Sequence, residues 1–484
     1  MKNKKTKINR QNTRGSFPII LVSSFFALLF LSMSIYLCIY VKQNEQSLLN
    51  NSYNARQALL ASENTRGTIF DRNGEVLAST KTVNGTEERN YPYDNLFSHV
   101  VGYCQKGKTG IESAANYYLI NSNVALSQKV ENDVSGKKNP GNNVYTTLDT
   151  GLQQIASDAL GMYRGAVVVS EVKTGRILAM VSKPDFDPNT IVEDWDDYIA
   201  ADADSSSKKS TVLLNRATQG LYPPGSTFKI ITALEYIREN NDTTQYHFNC
   251  HGRFTYGNTT IQCYHGTNHG EINFLESFAQ SCNSSFANMG VALNRDSYGE
   301  TLKNLMFGEK LPFDYNYAIS NVSVDSSVSD DDMIQISIGQ GKAQITPLHL
   351  NMITNAIGNN GILMKPQLLS KAVSADGTTL KEYDIQEYKK LMSQSEADKL
   401  TELMVAVVNE GTAKKLISND YQAAGKTGSA EYNGVKEDSH AWFTGFAPAE
   451  DPQISVTIII ESIGSGGDYA APIAKRIFDG YFSE

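Results

Sequence analysis

Between Pro18 and Val41 the chain carries no charged residue and is dominated by Leu, Ile, Phe and Val. Coiled as a helix, a run of that length rises about 36 Å, enough to cross the ~30 Å hydrocarbon core of a bilayer. The pattern then changes. Residues 42–65 are polar and helix-compatible and read as a stalk. Over 66–78, apolar positions flank Asn73-Gly74 and predict a hairpin with a tight turn. Ala166–Val172 and Arg176–Ser182 predict a stronger hairpin around Lys173-Thr174-Gly175. A long loop, Pro184–Ser210, rich in Asp and Ser, follows. Helical patterns occupy Ser226 to about Glu239, 271–293 with a break at Ser281-Cys282-Asn283, 333–357 and 395–410. Strand patterns return at Ala441–Phe446 and Ile454–Glu461, and 471–482 reads as a helix.

Strands at both ends of the large domain with helices gathered in its middle make an α+β pattern, an antiparallel sheet flanked by a helical cluster. The expected division is a tail over 1–17, a transmembrane helix over 18–41, a stalk and small β-rich pedestal domain over 42–144, and a large domain over 145–484.

Charge orients this arrangement. Lys2, Lys4, Lys5, Lys7, Arg10 and Arg14 precede the span and no acid accompanies them. The positive-inside rule then keeps the N-terminus cytoplasmic and places the large domain outside the cell membrane. A cleaved signal peptide would have a shorter apolar core and a small-residue site, whereas this run ends Tyr40-Val41-Lys42-Gln43. The formal net charge is −9, with those six cations confined to the tail, so the rest of the chain is acidic and nucleic acid is excluded as a partner.

Ser226 and Lys229 are the first candidates for chemistry. Ser-x-x-Lys spacing recurs at Ser135/Lys138, Ser170/Lys173, Ser205/Lys208 and Ser206/Lys209, so spelling alone decides nothing. Ser226 differs in following Pro223-Pro224-Gly225 and opening an apolar helix with Phe228, Ile230, Ile231, Ala233 and Leu234. Residues three apart share a helix face. A buried lysine loses hydration and favours its neutral form, which can take a serine proton. The bland reading is a capping serine beside a snorkelling lysine. Ser281-Cys282-Asn283 sits at a helix break, where a hydroxyl could relay a proton and an amide could hold a carbonyl; an ordinary cap would look the same. Lys426-Thr427-Gly428, followed by Ser429, offers a cation and hydroxyls for a carboxylate, with Gly428 leaving room for a backbone alongside. The same triplet at 108–110 and 173–175 fits a basic turn.

Gly102–Thr109 spells a phosphate-binding P-loop outright. Its expected position outside the membrane and the lack of a strand ending in a well-placed Asp argue against a nucleotide. Cys250 and Cys263 flank a hairpin-like stretch, expected to hold a disulfide or free thiols. With His251, His265 and His269 nearby, a zinc site on Cys250, Cys263, His265 and His269 is the sharper alternative. Cys38 is expected in the span and Cys104 unpaired. No cofactor is otherwise called for.

Taken together, Leu214-Asn215-Arg216-Ala217 with Tyr222 and Pro224-Gly225-Ser226-Thr227-Phe228-Lys229, then Ser281-Cys282-Asn283 and Lys426-Thr427-Gly428, resemble the penicillin-binding proteins and serine β-lactamases. Gly339-Gln340-Gly341, Glu410-Gly411-Thr412-Ala413 and Trp442–Pro448 add to the likeness. Arg66-Gly67 through Asp71-Arg72-Asn73-Gly74, and Gly107 to Glu112, resemble the membrane-proximal motifs of class B penicillin-binding proteins, of the penicillin-binding protein A or division-type group. The latter motif accounts for the apparent P-loop.

The resemblance implies a penicillin-binding/β-lactamase-like transpeptidase domain on a pedestal. It implies a peptidoglycan D,D-transpeptidase that acylates itself on D-Ala-D-Ala stem peptides and is inhibited by β-lactams. Ser226 would be the nucleophile, Lys229 its base and Ser281 a proton relay. Asn283, Lys426, Thr427, Gly428 and Ser429 would bind substrate. About one hundred residues between span and catalytic domain are too few for a glycosyltransferase domain, so a separate glycosyltransferase among the cell-wall synthesis proteins is an expected partner. Cys282 departs from what is common in its motif and stands outside the chemistry so assigned; Ser429 replaces a common Thr. The competing functions are a β-lactam-hydrolysing or β-lactam-sensing protein and a non-catalytic cell-wall scaffold.

Overall fold

The N-terminal apolar run forms the helix Phe17–Gln43 in the computed structural model, which describes residues 17–44, 56–203, 211–240, 242–431 and 438–483. The tail over 1–16, much of the stalk, the end of the Asp/Ser loop and Asn433-Gly434 lie outside the described residues. The chain falls into two units, residues 1–55 and 56–484. In the first, Lys42 is the only charge on a helix whose side chains over Phe17–Lys42 are unburied, the profile of a segment that meets lipid rather than a protein core.

In the second unit, the predicted second hairpin and the C-terminal strands build one antiparallel sheet. Its order is Ala424–Ala430, His440–Ala447, Ile454–Ile460, Gly165–Glu171, Ile177–Lys183. The three inner strands are buried on both faces, which is why they read as largely apolar runs rather than alternating ones. Helices Thr150–Leu160 and Ala470–Ser483 pack on each other and on the sheet, as does helix Pro347–Gly358. The last contact is polar. Asn351 accepts from Ser170 Oγ at 2.6 Å and donates to Ser455 Oγ at 3.1 Å, and Thr354 bonds Thr444 at 2.6 Å. Such a buried polar network fixes one register for the helix over the strands.

The predicted first hairpin forms between Ile69–Phe70 and Val76–Val83. It belongs to a six-stranded sheet ordered Thr379–Glu382, Leu369–Val373, Asn143–Thr146, Ile69–Phe70, Val76–Val83, Thr86–Asn90. The boundary drawn at 144/145 therefore falls within a strand, and two strands of this sheet come from far downstream. This region also holds a buried ion cluster. Glu112 receives Arg66 Nε at 2.6 Å and Arg89 Nε at 2.7 Å, with Tyr91 Oη at 3.2 Å. Burial pushes the Glu112 carboxyl up, but the two guanidiniums outweigh it and hold it below the usual carboxylate range.

The same segment disposes of the apparent P-loop. Gly102, the first glycine of the motif, sits at φ +80°, and a Cβ there would lie 2.3 Å from the Thr109 carbonyl oxygen. That glycine serves a close backbone approach, and the helix that follows the motif, Gly110–Ala114, is only five residues long. One expectation is corrected. The stretch read as a long loop contains the helix Trp195–Ala203, whose first turn carries Asp196 and Asp197.

Candidate active site

The sequence Pro223-Pro224-Gly225 ends in a tight 3₁₀ turn, Gly225–Phe228, which runs directly into the helix Lys229–Glu239. Gly225 has φ +52°, and a Cβ on it would stand 2.7 Å from the Ser429 carbonyl oxygen. Its N–H donates to Gly339 O at 2.9 Å, and Trp442 Nε1 donates to Pro223 O at 3.0 Å. Ser226 is thereby wedged between the Gly339-Gln340-Gly341 turn and the sheet edge. The helix behind it is buried without interruption from Lys229 to Glu235, as its composition predicts. Upstream, Arg216 is buried and bonds Glu461 at 2.7 Å, and Tyr222 donates to the same carboxylate at 2.7 Å. That clamp ties the approach to the nucleophile turn to the end of a central strand.

The second segment is a helix end. Phe274–Ala279 stops in a Schellman turn, with Ser281 N–H on Phe278 O at 3.1 Å and Cys282 N–H on Ser277 O at 2.9 Å. The left-handed residue of such a turn is usually glycine. Here it is Ser281, at φ +56°, a conformation costing about 1–2 kcal/mol. The turn aims the serine hydroxyl between two lysines. Lys229 Nζ donates to Ser281 O at 2.7 Å, to Asn283 Oδ1 at 2.7 Å and to Ser281 Oγ at 3.2 Å. Lys426 Nζ donates to Ser281 Oγ at 2.8 Å. Strain at a residue held by both cations is the kind found where chemistry needs the side chain.

The third segment is the strand Ala424–Ala430, which is an edge of the five-stranded sheet. It carries Lys426, Thr427, Gly428 and Ser429. Thr427 bonds the Thr412 hydroxyl at 2.5 Å, and Ser429 Oγ receives Gly466 N–H at 3.2 Å. Thr412, within the matched Glu410–Ala413 segment, had no role assigned from sequence; its hydroxyl now stands on the cleft wall beside Thr427.

Both lysines are fully buried. Burial pulls the Lys229 ammonium down to about 8. Burial, and then the Lys229 charge, pull Lys426 well below its ordinary value. Two ammonium groups sharing one hydroxyl in a desolvated site repel, so the arrangement favours a neutral lysine in the absence of an anion.

These groups border a cleft of about 730 Å³ lined by Ser226, Ser281, Asn283, Thr427, Gly428 and Ser429 among others. All eight residues singled out for catalysis or substrate binding are thus gathered at one place: six on the cleft wall, Lys229 and Lys426 just behind it. A buried general-base candidate beside a nucleophile, facing a cation and an open strand edge, can support acyl transfer to serine on a substrate bearing a carboxylate.

Over residues 165–479 the chain matches the penicillin binding protein transpeptidase domain, and over 66–144 the penicillin binding protein A dimerisation domain. The chain belongs to the penicillin-binding protein family. It is 32% identical over 432 residues to the peptidoglycan D,D-transpeptidase PbpA of Mycolicibacterium smegmatis, covering 83% of this chain and 86% of that one. It is 30% identical over 453 residues to the peptidoglycan D,D-transpeptidase MrdA of Acinetobacter baumannii, covering 81% and 65%. Among solved structures, penicillin-binding protein A of M. tuberculosis as its penicillin G acyl-enzyme complex superposes with a TM-score of 0.77 at 28% identity, covering 87% of this chain and 100% of that one. The D,D-transpeptidase domain from Eggerthella lenta gives 0.76 at 29% identity, covering 87% and 99%.

In this penicillin-binding protein Cys250 and Cys263 are free thiols with their sulfurs 3.7 Å apart, one of the two states expected of them. They cluster with His269 and with Cys282, the residue set outside the chemistry on sequence grounds. His265, proposed as a ligand, lies elsewhere: at φ +53° its exposed ring packs on Tyr264 at 4.1 Å. The left-handed backbone turns that side chain away from the sulfurs.

Proposed function

We propose that this chain cross-links peptidoglycan as a serine D,D-transpeptidase, acylated through Ser226 by D-Ala-D-Ala stem peptides and inhibited covalently by β-lactams. The observation that carries the assignment of roles is the Ser281 hydroxyl held between Lys229 and Lys426. In the proposed reaction, Ser226 Oγ attacks the carbonyl of the terminal peptide bond while Lys229 takes its proton. Backbone N–H groups of Ser226 and Ser429 receive the oxyanion. The Ser281 hydroxyl passes the proton to the departing amine, D-Ala leaves, and an amine of a neighbouring stem resolves the acyl-enzyme. Lys426, Thr427 and Ser429 bind the terminal carboxylate, and Gly428 lets the substrate backbone lie along the strand edge. Asn283 spends one amide N–H on Gln262 O at 2.9 Å and keeps the other for a substrate carbonyl.

The charge arrangement gives substrate binding a catalytic consequence. A carboxylate beside Lys426 favours its ammonium form, and that cation, across Ser281, disfavours a second one on Lys229. Substrate therefore prepares its own base. Residues 18–41 anchor the protein, the basic N-terminus lies in the cytoplasm and the domain over 145–484 works outside, on the pedestal of 42–144. A separate glycosyltransferase supplies the glycan strands.

The test is fluorescent penicillin with mass-spectrometric mapping of the adduct. A stable adduct on the peptide carrying Ser226, lost in Ser226→Ala, is the expected result. Rapid turnover of the drug would reassign the protein to β-lactam hydrolysis, and no adduct would leave the scaffold reading. A pH profile tests the base. Because Lys229 must be neutral and its ammonium loses a proton near pH 8, acylation should rise about tenfold per pH unit below 8 and level off above it. A flat profile from pH 6 to 9 would remove Lys229 from that role.

A further inference from the structure

The seam between the pedestal and the large domain holds a second cavity, of about 240 Å³. Its walls come from the pedestal through Ser98 and His99, from the strand Ile177–Lys183 through Met180, and from the lead-in to the nucleophile through Asn215 and Gln219. That strand is the opposite edge of the five-stranded sheet from Ala424–Ala430. Four strand spacings, about 19 Å, therefore lie between this edge and the one that carries Lys426. The acyl transfer described above makes no use of the cavity.

Polar groups on its walls lack partners within the protein. Ser98 is 2% exposed and its Oγ has no hydrogen-bond partner; nor has the buried Oη of Tyr315, another lining residue. Burial pushes the Tyr315 phenol up, so it stays a donor. Buried hydroxyls without partners are destabilising, and a ligand that completes them removes that cost. His99 adds an acceptor. Burial pulls its imidazole down to about 4, so the ring is neutral. Its Nε2 lies 3.1 Å from Pro184 O, which can only accept, so Nε2 carries the proton and Nδ1 does not.

The remaining walls are aromatic or amide. Phe186 stands edge-on to His99 at 5.2 Å and to Tyr103 at 5.8 Å. Gln219 and Asn316 place their amides at the exposed mouth, beside the half-buried Leu213. Among the described residues, none that lines the cavity carries a charge. An ammonium, carboxylate or phosphate would find no counter-charge there. Hydroxyl donors and an imidazole acceptor around an aromatic wall suit a ring with many hydroxyls and an apolar face, which is a sugar. Two amides beside a leucine suit an acetamido group, which pairs its own amide and buries its methyl.

We propose that this cavity binds one neutral N-acetylated amino-sugar ring of a glycan strand, with ring hydroxyls on Ser98, Tyr315 and His99 and the acetamido group between Gln219 and Asn316. The proposal rests on the reading of the protein as a peptidoglycan transpeptidase: the strand is the polymer that carries the stem peptides, and the cavity keeps the enzyme on it between turnovers. Asn215 already donates across the seam to His99 O at 3.3 Å, and a bound ring ties the two sides further.

The test is saturation-transfer NMR on the detergent-solubilised full chain with N-acetylglucosamine, its β-1,4-linked tetramer, and glucosamine. Transfer to the acetyl methyl of both acetylated probes is expected, with a dissociation constant of about 1 mM for the single ring, and none to glucosamine. Prior acylation of Ser226 by penicillin should leave the transfer unchanged; its loss would place the sugar in the catalytic cleft and overturn the site. Asn316→Trp, at the exposed mouth, should abolish binding. Ser98→Ala and Tyr315→Phe should each weaken it about fivefold while leaving the thermal midpoint unchanged or raised, because each deletes a buried group that has no partner. A lower midpoint with unchanged sugar binding would make these hydroxyls structural and overturn the site. So would no transfer at about 10 mM sugar, ten times the expected constant, or equal transfer to glucosamine. Binding of the single ring but not of the tetramer would indicate a free sugar and overturn the role on the strand. Sugar binding is read without turnover at Ser226, so the site can fail while penicillin labelling succeeds, and the reverse.

Discussion

Lys229→Met is expected to slow acylation of Ser226 by about 10³-fold or more at pH 8, measured as the second-order rate of labelling by fluorescent penicillin. Methionine has a similar length and is at home against Phe286, whose ring lies 5.4 Å from the lysine nitrogen. It also removes the desolvation cost of a buried amine. Against that, Ser281 O and Asn283 Oδ1 lose their donor, at about 1–3 kcal/mol for each acceptor that no water reaches. These opposing terms keep the fold, so the loss is to be read as chemistry: a positioned base supplies about 10²–10⁴ in rate, and here it also organises the relay serine. A variant that labels within tenfold of wild type would show that another group removes the serine proton.

Glu112→Leu is expected to destabilise the pedestal by about 3–5 kcal/mol, seen as a lower midpoint in thermal or urea unfolding. The carboxylate is wholly buried, and both of its oxygens are engaged by guanidiniums. Removing it leaves Arg66 and Arg89 charged, facing each other in a site that water barely enters, and a buried charge left unpaired is the costly case. The pH dependence follows from the same pairing. With its carboxyl held below the usual range, Glu112 contributes stability that is fully present above the unfolded carboxylate value, near pH 4.5, and is lost as pH falls through the lower folded value. Glu112→Leu should therefore flatten the acid limb of the stability curve. An unchanged midpoint would mean that the ion cluster is not what secures this part of the fold.

What the sequence made legible was whatever has a local signature. The inner strands at 165–171, 440–447 and 454–460 announce themselves because burial on both faces favours largely apolar runs. The nucleophile turn announces itself through its Pro-Pro-Gly lead-in, whose Gly225 has no room for a Cβ. The helix at Trp195–Ala203 did not, because its acids look like loop residues; at a helix N-terminus they favour the dipole instead. The pairing of Leu369–Val373 with Asn143–Thr146 leaves no local trace at all, since neither segment encodes its partner. The cysteine cluster was half visible. Cys250 and Cys263 drew attention by their spacing, and His269 by its proximity. Cys282 was hidden by being read within a catalytic motif, and His265 was favoured by spacing alone although its backbone sends it elsewhere.

The shared six-stranded sheet bears on how this protein can be divided. A fragment starting at residue 165, where the recognisable enzyme begins, would still contain Leu369–Val373 and Thr379–Glu382 but would lack Asn143–Thr146, their neighbour in the ladder. The released chain would present a bare row of amide and carbonyl groups to solvent, an invitation to pair with another copy of itself. Soluble versions made for inhibitor screening should therefore keep the polypeptide from about residue 56 onward. For the same reason, gene fusions that swap pedestals between relatives must exchange the two downstream strands as well.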